Sequence, residues 1–465
     1  MTLLAEGGDL QVSGGAGGLV AQTDDMEQAS EALQAAAAGL AAVALRVAGV
    51  GARPGLLATV VLAPGTLASA EAALAGALVG PAGLVAVGVR IEALALRLRA
   101  AAAGYAAAEA GARAAVHELE LAAGRFAAVL AAPFVPLVAV TSVVTVPIGV
   151  AAVRLGLPLP TDWPREGGRL LEPVVGAVPG GLVPAGPLWH PGTDVPGIAA
   201  VLAGVGRAGP WLHENGAVAV AAQPPVPVRP PAGVSGVLDR VVRCYPDAGA
   251  GAAPGTVRVE GVRGADGRRA WVVEIPGTQD WSPRPGSNPA DLTADVATMG
   301  RSSTALSATV TRGLELAGAA PDEPVLLAGH SLGGMVAAAL AADVAFTRRF
   351  KVTHVVAAGS PVGAVAVPPG VAVLTLEHGD DLVPALDGTP NPDRPDWVTV
   401  RHAPPVGRHP AVAHDARGYV DTAALVDASS DASLRAWRAG LGPFLDRPGA
   451  TATSLAVVGR RVPRG

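Results

Sequence analysis

Val325-Leu326-Leu327-Ala328-Gly329-His330-Ser331-Leu332-Gly333-Gly334, running on into Met335-Val336-Ala337-Ala338-Ala339-Leu340-Ala341-Ala342, decides how the rest of this chain is read. The apolar run that opens it reads as a buried strand, and the Ala/Leu run that closes it reads as a helix. Gly-x-Ser-x-Gly falls at the junction. A serine placed there stands out at the end of a strand, on a turn too sharp for bulky neighbours. Glycines two residues to either side let strand and helix approach closely. In a chain with 60 glycines the pattern alone is weak, and it counts through its strand-to-helix context. That context makes Ser331 a candidate nucleophile, with Gly329, His330 and Gly333 shaping the turn.

Composition narrows the alternatives. The 465 residues allow two or three domains. Half the residues are hydrophobic but only 3% are aromatic, so the core must be built mainly from Ala, Val and Leu. A net charge of −5, spread along the chain, argues against a nucleic-acid partner. Lys351 is the only lysine, so no Walker A loop precedes it. Cys244 stands alone, which excludes an intrachain disulfide, and it reads as a small buried residue. No Cys/His or carboxylate cluster has metal spacing, and no cofactor is implied. Residues 1–20 lack the basic start and apolar core of a secretory signal. The location expected is cytoplasmic, or outside the cell by another export route, with membrane association left open.

Residues 1–125 read as an Ala-rich helical bundle or hairpin. Thr23-Asp24-Asp25 is a plausible cap for a helix over 22–48, and further helices are expected at 66–79 and 84–124. Tyr105-Ala106-Ala107-Ala108-Glu109 resembles the Tyr-x-x-x-Asp/Glu signal that follows the helical hairpins of actinobacterial type VII secretion substrates. The Trp-x-Gly turn of those hairpins is missing, and an ordinary helix face explains the same residues. Residues 126–153 carry no charge between Arg125 and Arg154. They read as a buried or membrane-facing surface, with a membrane span as the alternative that Pro133, Pro136 and Pro147 weaken. Contact with a membrane or with secretion machinery is therefore expected, if anywhere, from residues 1–153. Residues 126–232 are an apolar and Pro/Gly-rich connection, ending in a polyproline-like linker at 224–231.

Beyond it the punctuation changes. A helix at 234–243 leads to a hairpin of strands at 256–260 and 270–275 turning at Gly264-Ala265-Asp266-Gly267. A helix over 291–316 follows, then the Ser331 strand and helix, then strands at 352–357, 371–376 and 397–401. Strands alternating with helices at this spacing indicate a mostly parallel sheet covered on both faces. The catalytic domain is placed at 233–446, with a C-terminal tail at 447–465.

A serine hydroxyl at neutral pH needs a base, a carboxylate to orient the base, and donors for the oxyanion. Downstream of Ser331, Asp380 and Asp381 compete for the acid, and His402, His409 and His414 for the base. Upstream, Pro276-Gly277-Thr278-Gln279 ends a strand, and Trp281-Ser282-Pro283-Arg284-Pro285-Gly286 reads as a lid or an ordinary loop.

Gly329-His330-Ser331-Leu332-Gly333-Gly334, Gly359-Ser360-Pro361, Asp381-Leu382-Val383-Pro384 and the His414 to Tyr419 spacing together resemble class 3 (fungal-type) lipases over about 256–425. Those enzymes carry a strand ending in Gly-Thr or Gly-Ser before the elbow, a Gly-x-Pro turn after it, and their acid in Asp-x-Val-Pro. The resemblance implies a C-terminal α/β-hydrolase fold. It makes Ser331 the nucleophile, Asp381 the acid and His414 the base. Thr278 and Leu332 would supply the oxyanion N–H groups, with Gln279 the substitute for Thr278 and the Thr278 hydroxyl a further donor. Pro276 stands where the family has Arg or His, and the fungal disulfides are absent, so a substrate is not carried over. The implied activity is hydrolysis of a small-molecule or lipid carboxylic ester through an acyl-enzyme. The alternatives are an acyltransferase with the same triad, or a secreted or envelope-associated interaction protein carrying a hydrolase-like domain.

Overall fold

In a computed structural model of the protein, residues 10–51, 63–131, 168, 172, 175, 194–206, 211–214, 217–249, 251–403 and 407–462 are described. Most of the uncharged 126–153 stretch therefore lies outside the described residues, as does Arg53-Pro54-Gly55. Leu19–Ala115 forms one compact unit, and the described residues on either side of it form a second.

The first unit is helical, with α1 (Leu19–Gly51), α2 (Pro64–Val79) and the start of α3 (Leu84–Ala131). Ser30, Ala37 and Ala44 of α1 and Ala95 and Ala102 of α3 are buried. Their seven-residue spacing keeps small side chains along one seam, so that the backbones approach closely. The Ser30 hydroxyl donates to the Ala95 carbonyl across that seam at 2.9 Å. Larger apolar side chains, Leu45, Val79, Val89, Leu94 and Leu96, are exposed. By length and composition, Asp25–Val50 and Gly65–Ala108 could each cross a membrane.

The second unit opens with β1 (Leu10–Gly14) and resumes at α4 (Val195–Gly206), β2 (Val218–Ala222), β3 (Val226–Val228) and α5 (Val234–Val242). Next come β4 (Thr256–Arg263), β5 (Arg269–Ile275), α6 (Leu292–Met299), α7 (Ala305–Ala317), β6 (Pro324–His330) and α8 (Leu332–Ala342). The unit closes with β7 (Lys351–Ala358), β8 (Ala372–His378), β9 (Trp397–His402), α9 (Ala416–Ala428), α10 (Ala432–Ala439) and β10 (Thr451–Arg461). Among the described residues, ten strands make one mixed sheet in the order β1-β9-β8-β7-β6-β5-β4-β10-β2, with β3 also paired to β10. Neighbours from β5 to β9 run parallel, and every other pairing is antiparallel.

Period-two alternation sorts each central strand between two cores. Trp271, Val273, Val325, Leu327, Val355 and Val373 face α6, α7 and α8, whereas Val272, Leu326, Val356 and Leu374 face α5, α9 and α10. Both faces being covered, these strands read as nearly continuous apolar runs. Each fully buried Leu or Val contributes on the order of 1.5–3 kcal/mol, upper figures for an extended unfolded chain.

Four expectations change here. The single helix over 291–316 is two helices, because Arg301 turns into the left-handed region (φ 58°) and Thr304 caps a new helix with Ser307 in a reciprocal box. The polyproline-like stretch contains an edge strand, in which Pro227 pairs opposite Thr453. Residues 447–465, expected to be a tail, hold β10, which pairs with β4 along eight positions and carries β2 and β3 on its other side. Residues 10–14, expected to belong to a helical region, form the strand beyond β9.

Candidate active site

β6 ends at His330 and α8 begins at Leu332, leaving Ser331 alone at the junction with φ 55° and ψ −123°. Such a conformation costs a non-glycine residue about 1–3 kcal/mol and persists because its surroundings over-determine it. Ser331 N donates to Ala358 O at 2.8 Å, and its carbonyl accepts from Met335 N at 3.2 Å as the helix starts. The flanking glycines are required by space. A Cβ on Gly329 would lie 2.1 Å from the Gly333 carbonyl carbon, and one on Gly333 would lie 2.1 Å from Ile275 O.

The loops after β8 and before α9 deliver the groups that meet this hydroxyl. His414 Nε2 lies 2.9 Å from Ser331 Oγ, and His414 Nδ1 lies 2.7 Å from Asp381 Oδ2. Asp381 also accepts from the Tyr419 hydroxyl (2.6 Å) and from Val383 N (2.9 Å). Burial by itself would raise the Asp381 carboxyl, but the charge of His414 and these three donors outweigh it and hold the group below the ordinary aspartate value. The carboxylate therefore stays ionised at neutral pH. It fixes a proton on His414 Nδ1 and leaves Nε2 free to accept from Ser331.

Neighbouring alternatives are engaged elsewhere. Asp380 receives the Arg408 backbone N–H (2.6 Å) and its Nε and Nη2 (3.2 and 3.1 Å). His409 Nδ1 accepts from Ala411 N at 3.2 Å, and His402 Nδ1 meets the Thr422 hydroxyl at 3.2 Å. His378 is buried and stacked on Tyr419 with ring centroids 3.8 Å apart. Its Nδ1–H donates to Ala413 O at 2.7 Å, which holds the segment leading into His414.

On the opposite side of Ser331, the end of β5 comes very close. A Cβ on Gly277 would lie 2.9 Å from Ser331 Cβ. Thr278 follows, half-buried, with its hydroxyl donating to both oxygens of Asp295 on α6 at 3.0 and 2.8 Å. Asp295 keeps some exposed surface, yet the protein packed around it makes loss of hydration the largest effect. The carboxyl is pushed up to about 7 despite the Thr278 hydrogen bond. The Thr278 hydroxyl is thus held by a carboxylate rather than turned freely toward Ser331. Leu332 is the first residue of α8, so its N–H sits at the positive end of the helix dipole. The Gln279 side chain points to other partners, accepting from Gly255 N at 3.0 Å and donating to Cys244 O at 3.3 Å. Sequence reasoning did not find Asp295; no spacing rule links position 278 to 295, although an Asp inside a capped first turn is visible once α6 is placed.

The 281–286 stretch, read as a lid or an ordinary loop, is fastened at two points. Leu212 N donates to Pro283 O at 2.8 Å, and buried Arg461 donates to Gly286 O at 3.1 Å while pairing with Asp291 and Glu214. Cys244 is buried, as expected. Among the described residues no group of His, Cys, Asp and Glu stands together in a way that would hold a metal.

Residues 260–389 match the family description "Lipase (class 3)". The match runs from inside β4 to just beyond the Asp381 loop and takes in Thr278, Asp295, Ser331 and Asp381; His414 and Tyr419 lie past its end. Over that segment the chain is similar to class 3 lipases, and lipase or esterase chemistry is the activity that family suggests. No curated protein and no solved structure matches the chain.

Proposed function

We propose that the protein is a serine hydrolase that cleaves carboxylic esters through an acyl-enzyme, on an α/β-hydrolase fold. The observation that carries the reading is the unbroken chain Ser331 Oγ to His414 Nε2 and His414 Nδ1 to Asp381, at 2.9 and 2.7 Å. In the forward step Ser331 attacks the ester carbonyl while His414 takes its proton. Asp381 stabilises the imidazolium that forms. The oxyanion is received by the N–H groups of Thr278 and Leu332, the second reinforced by the helix dipole. Collapse of the tetrahedral intermediate expels the alcohol, protonated by His414. Water activated by the same imidazole then releases the acid and restores Ser331. These side chains, the two backbone N–H groups and water together carry every step.

The strained Ser331 backbone supports the same reading. A serine that merely started α8 would have no reason to hold φ at 55°, whereas a nucleophile needs to be lifted clear of the strand. Ser331→Ala should lower hydrolysis of a p-nitrophenyl acyl ester by at least ~10³-fold, and a fluorophosphonate should label Ser331 in the native protein. Undiminished turnover in the variant would remove the proposal.

A further inference from the structure

We infer that Tyr245 and His330 are positioning residues, which tie the loop carrying the oxyanion donor to the backbone of the catalytic histidine. The inference rests on the serine-hydrolase reading above and adds to it two side chains with no part in the chemical steps. Tyr245 lies just after α5, outside the segment matched to the lipase family.

Three hydrogen bonds run in series. Gly277 N donates to Tyr245 Oη at 2.7 Å, Tyr245 Oη meets His330 Nδ1 at 2.7 Å, and His330 Nε2 meets His414 O at 3.1 Å. Their directions are determined by the end groups. An amide N–H can only donate and a carbonyl can only accept, so His330 carries its proton on Nε2. Burial, together with the nearby charge of His414, lowers the His330 imidazole to about 3, which keeps it singly protonated. Nδ1 is then a lone pair, and the phenol proton must go to it. Each of the two side chains donates once and accepts once, so neither holds a spare donor to replace a lost link.

The geometry leaves little room for another arrangement. A Cβ on Gly277 would lie 2.5 Å from Tyr245 Oη, so glycine at this position is what admits the phenol. The peptide after Gly277 carries the Thr278 N–H, placing the anchor one residue upstream of the proposed oxyanion donor. At the other end, the His330 ring packs 4.7 Å from the His414 ring and bonds to the His414 carbonyl. His330 also directly precedes Ser331 in the chain. One series of hydrogen bonds thus sets the spacing between oxyanion donor, nucleophile and base, and an error of about 1 Å there can cost up to 10²-fold in rate.

Tyr245→Phe keeps the ring and removes only the hydroxyl. Its kcat on a p-nitrophenyl ester should fall about 10-fold with KM unchanged within about twofold, because the displaced donor acts mainly in the transition state. The Gly277 amide should lose hydrogen-exchange protection, and the melting temperature should fall by only a few degrees, the cost of leaving one buried N–H unpaired. His330→Gln retains a donor toward His414 O but loses the ring acceptor, and should show a similar loss. The double variant should be no worse than the more damaged single one, since both changes break one series. A Tyr245→Phe protein with wild-type kcat and full fluorophosphonate labelling, or a double variant whose loss is the product of the two single losses, would overturn the inference alone. A wild-type protein that resists the fluorophosphonate would overturn the hydrolase reading, and this inference with it.

Discussion

Asp380 and Asp381 are adjacent in the chain, equally buried, and turned to opposite tasks. Asp381 collects His414, Tyr419 and Val383, whereas Asp380 collects the backbone and guanidinium of Arg408 and so ties Arg408 to the end of β8. Asp381→Asn should reduce kcat by about 10⁴-fold while the protein melts near its normal temperature, because an amide favours the wrong tautomer of His414. Asp380→Asn should do the reverse. Turnover should remain within about threefold and the melting temperature should drop, since Arg408 is left facing an uncharged group. Comparing the two variants by ester hydrolysis and thermal unfolding separates the roles; equal losses of kcat would contradict the assignment. Sequence spacing could place an acid at 380 or 381, and the resemblance chose 381. The partners that make the difference, Tyr419 and Arg408, lie 38 and 28 positions away and come into play only through the fold.

At the scale of single elements, β5 shows what the site demands of the scaffold. Its outward end carries Gly277 and Thr278, and just before it Glu274 is fully buried with neither carboxylate oxygen hydrogen-bonded among the described residues. Burial, reinforced by the nearby Glu260, pushes this carboxyl well above the ordinary glutamate value. A group whose folded value is raised leaves stability intact below its unfolded value, near pH 4.5, and takes stability away as the pH climbs toward the folded value. Glu274→Gln should therefore leave the melting temperature almost unchanged at pH 4.5 and raise it by about 1–3 °C at pH 8. Thermal scans across that range test the sign, and a variant less stable at pH 8 than the wild type would show that the charge is compensated. The strand itself was legible from Ala270-Trp271-Val272-Val273-Glu274-Ile275, because alternation survives any neighbour. The break in the helix over 291–316 was not, since Ser302, Ser303 and Thr304 are compatible with a helix interior until Thr304 and Ser307 cap each other.

For the whole molecule, the decisive fact is where the sheet recruits its outer strands. β10 comes from the last residues described and β1 from the first, while β2 and β3 come from the Pro/Gly-rich connection. A fragment covering only 233–446 would end its sheet at β4 and β9, with two long unpaired edges and an apolar face uncovered. Such a fragment should be insoluble or aggregated. Extension of the same fragment through residue 462 should raise its soluble yield by restoring the β4–β10 pairing, as read by size-exclusion chromatography. Equal behaviour of the two fragments would mean that β10 is dispensable.

The sequence by itself determined the parts of this protein that depend on near neighbours: the strand–serine–helix junction at Ser331, the β4–β5 hairpin, the alternation of strands and helices, and the short list of acids and histidines. Those features are written in local periodicity and in glycines whose spacing is a steric requirement. The tertiary structure decided which members of the list meet. It brought Tyr245 and His330 against Gly277, placed Asp295 beside Thr278, and gave Asp380 to Arg408. It also turned a presumed tail into β10. The reason is physical. A hydrogen bond between residues far apart in the chain leaves no periodic trace, and an edge strand is specified by the partner it covers as much as by its own residues.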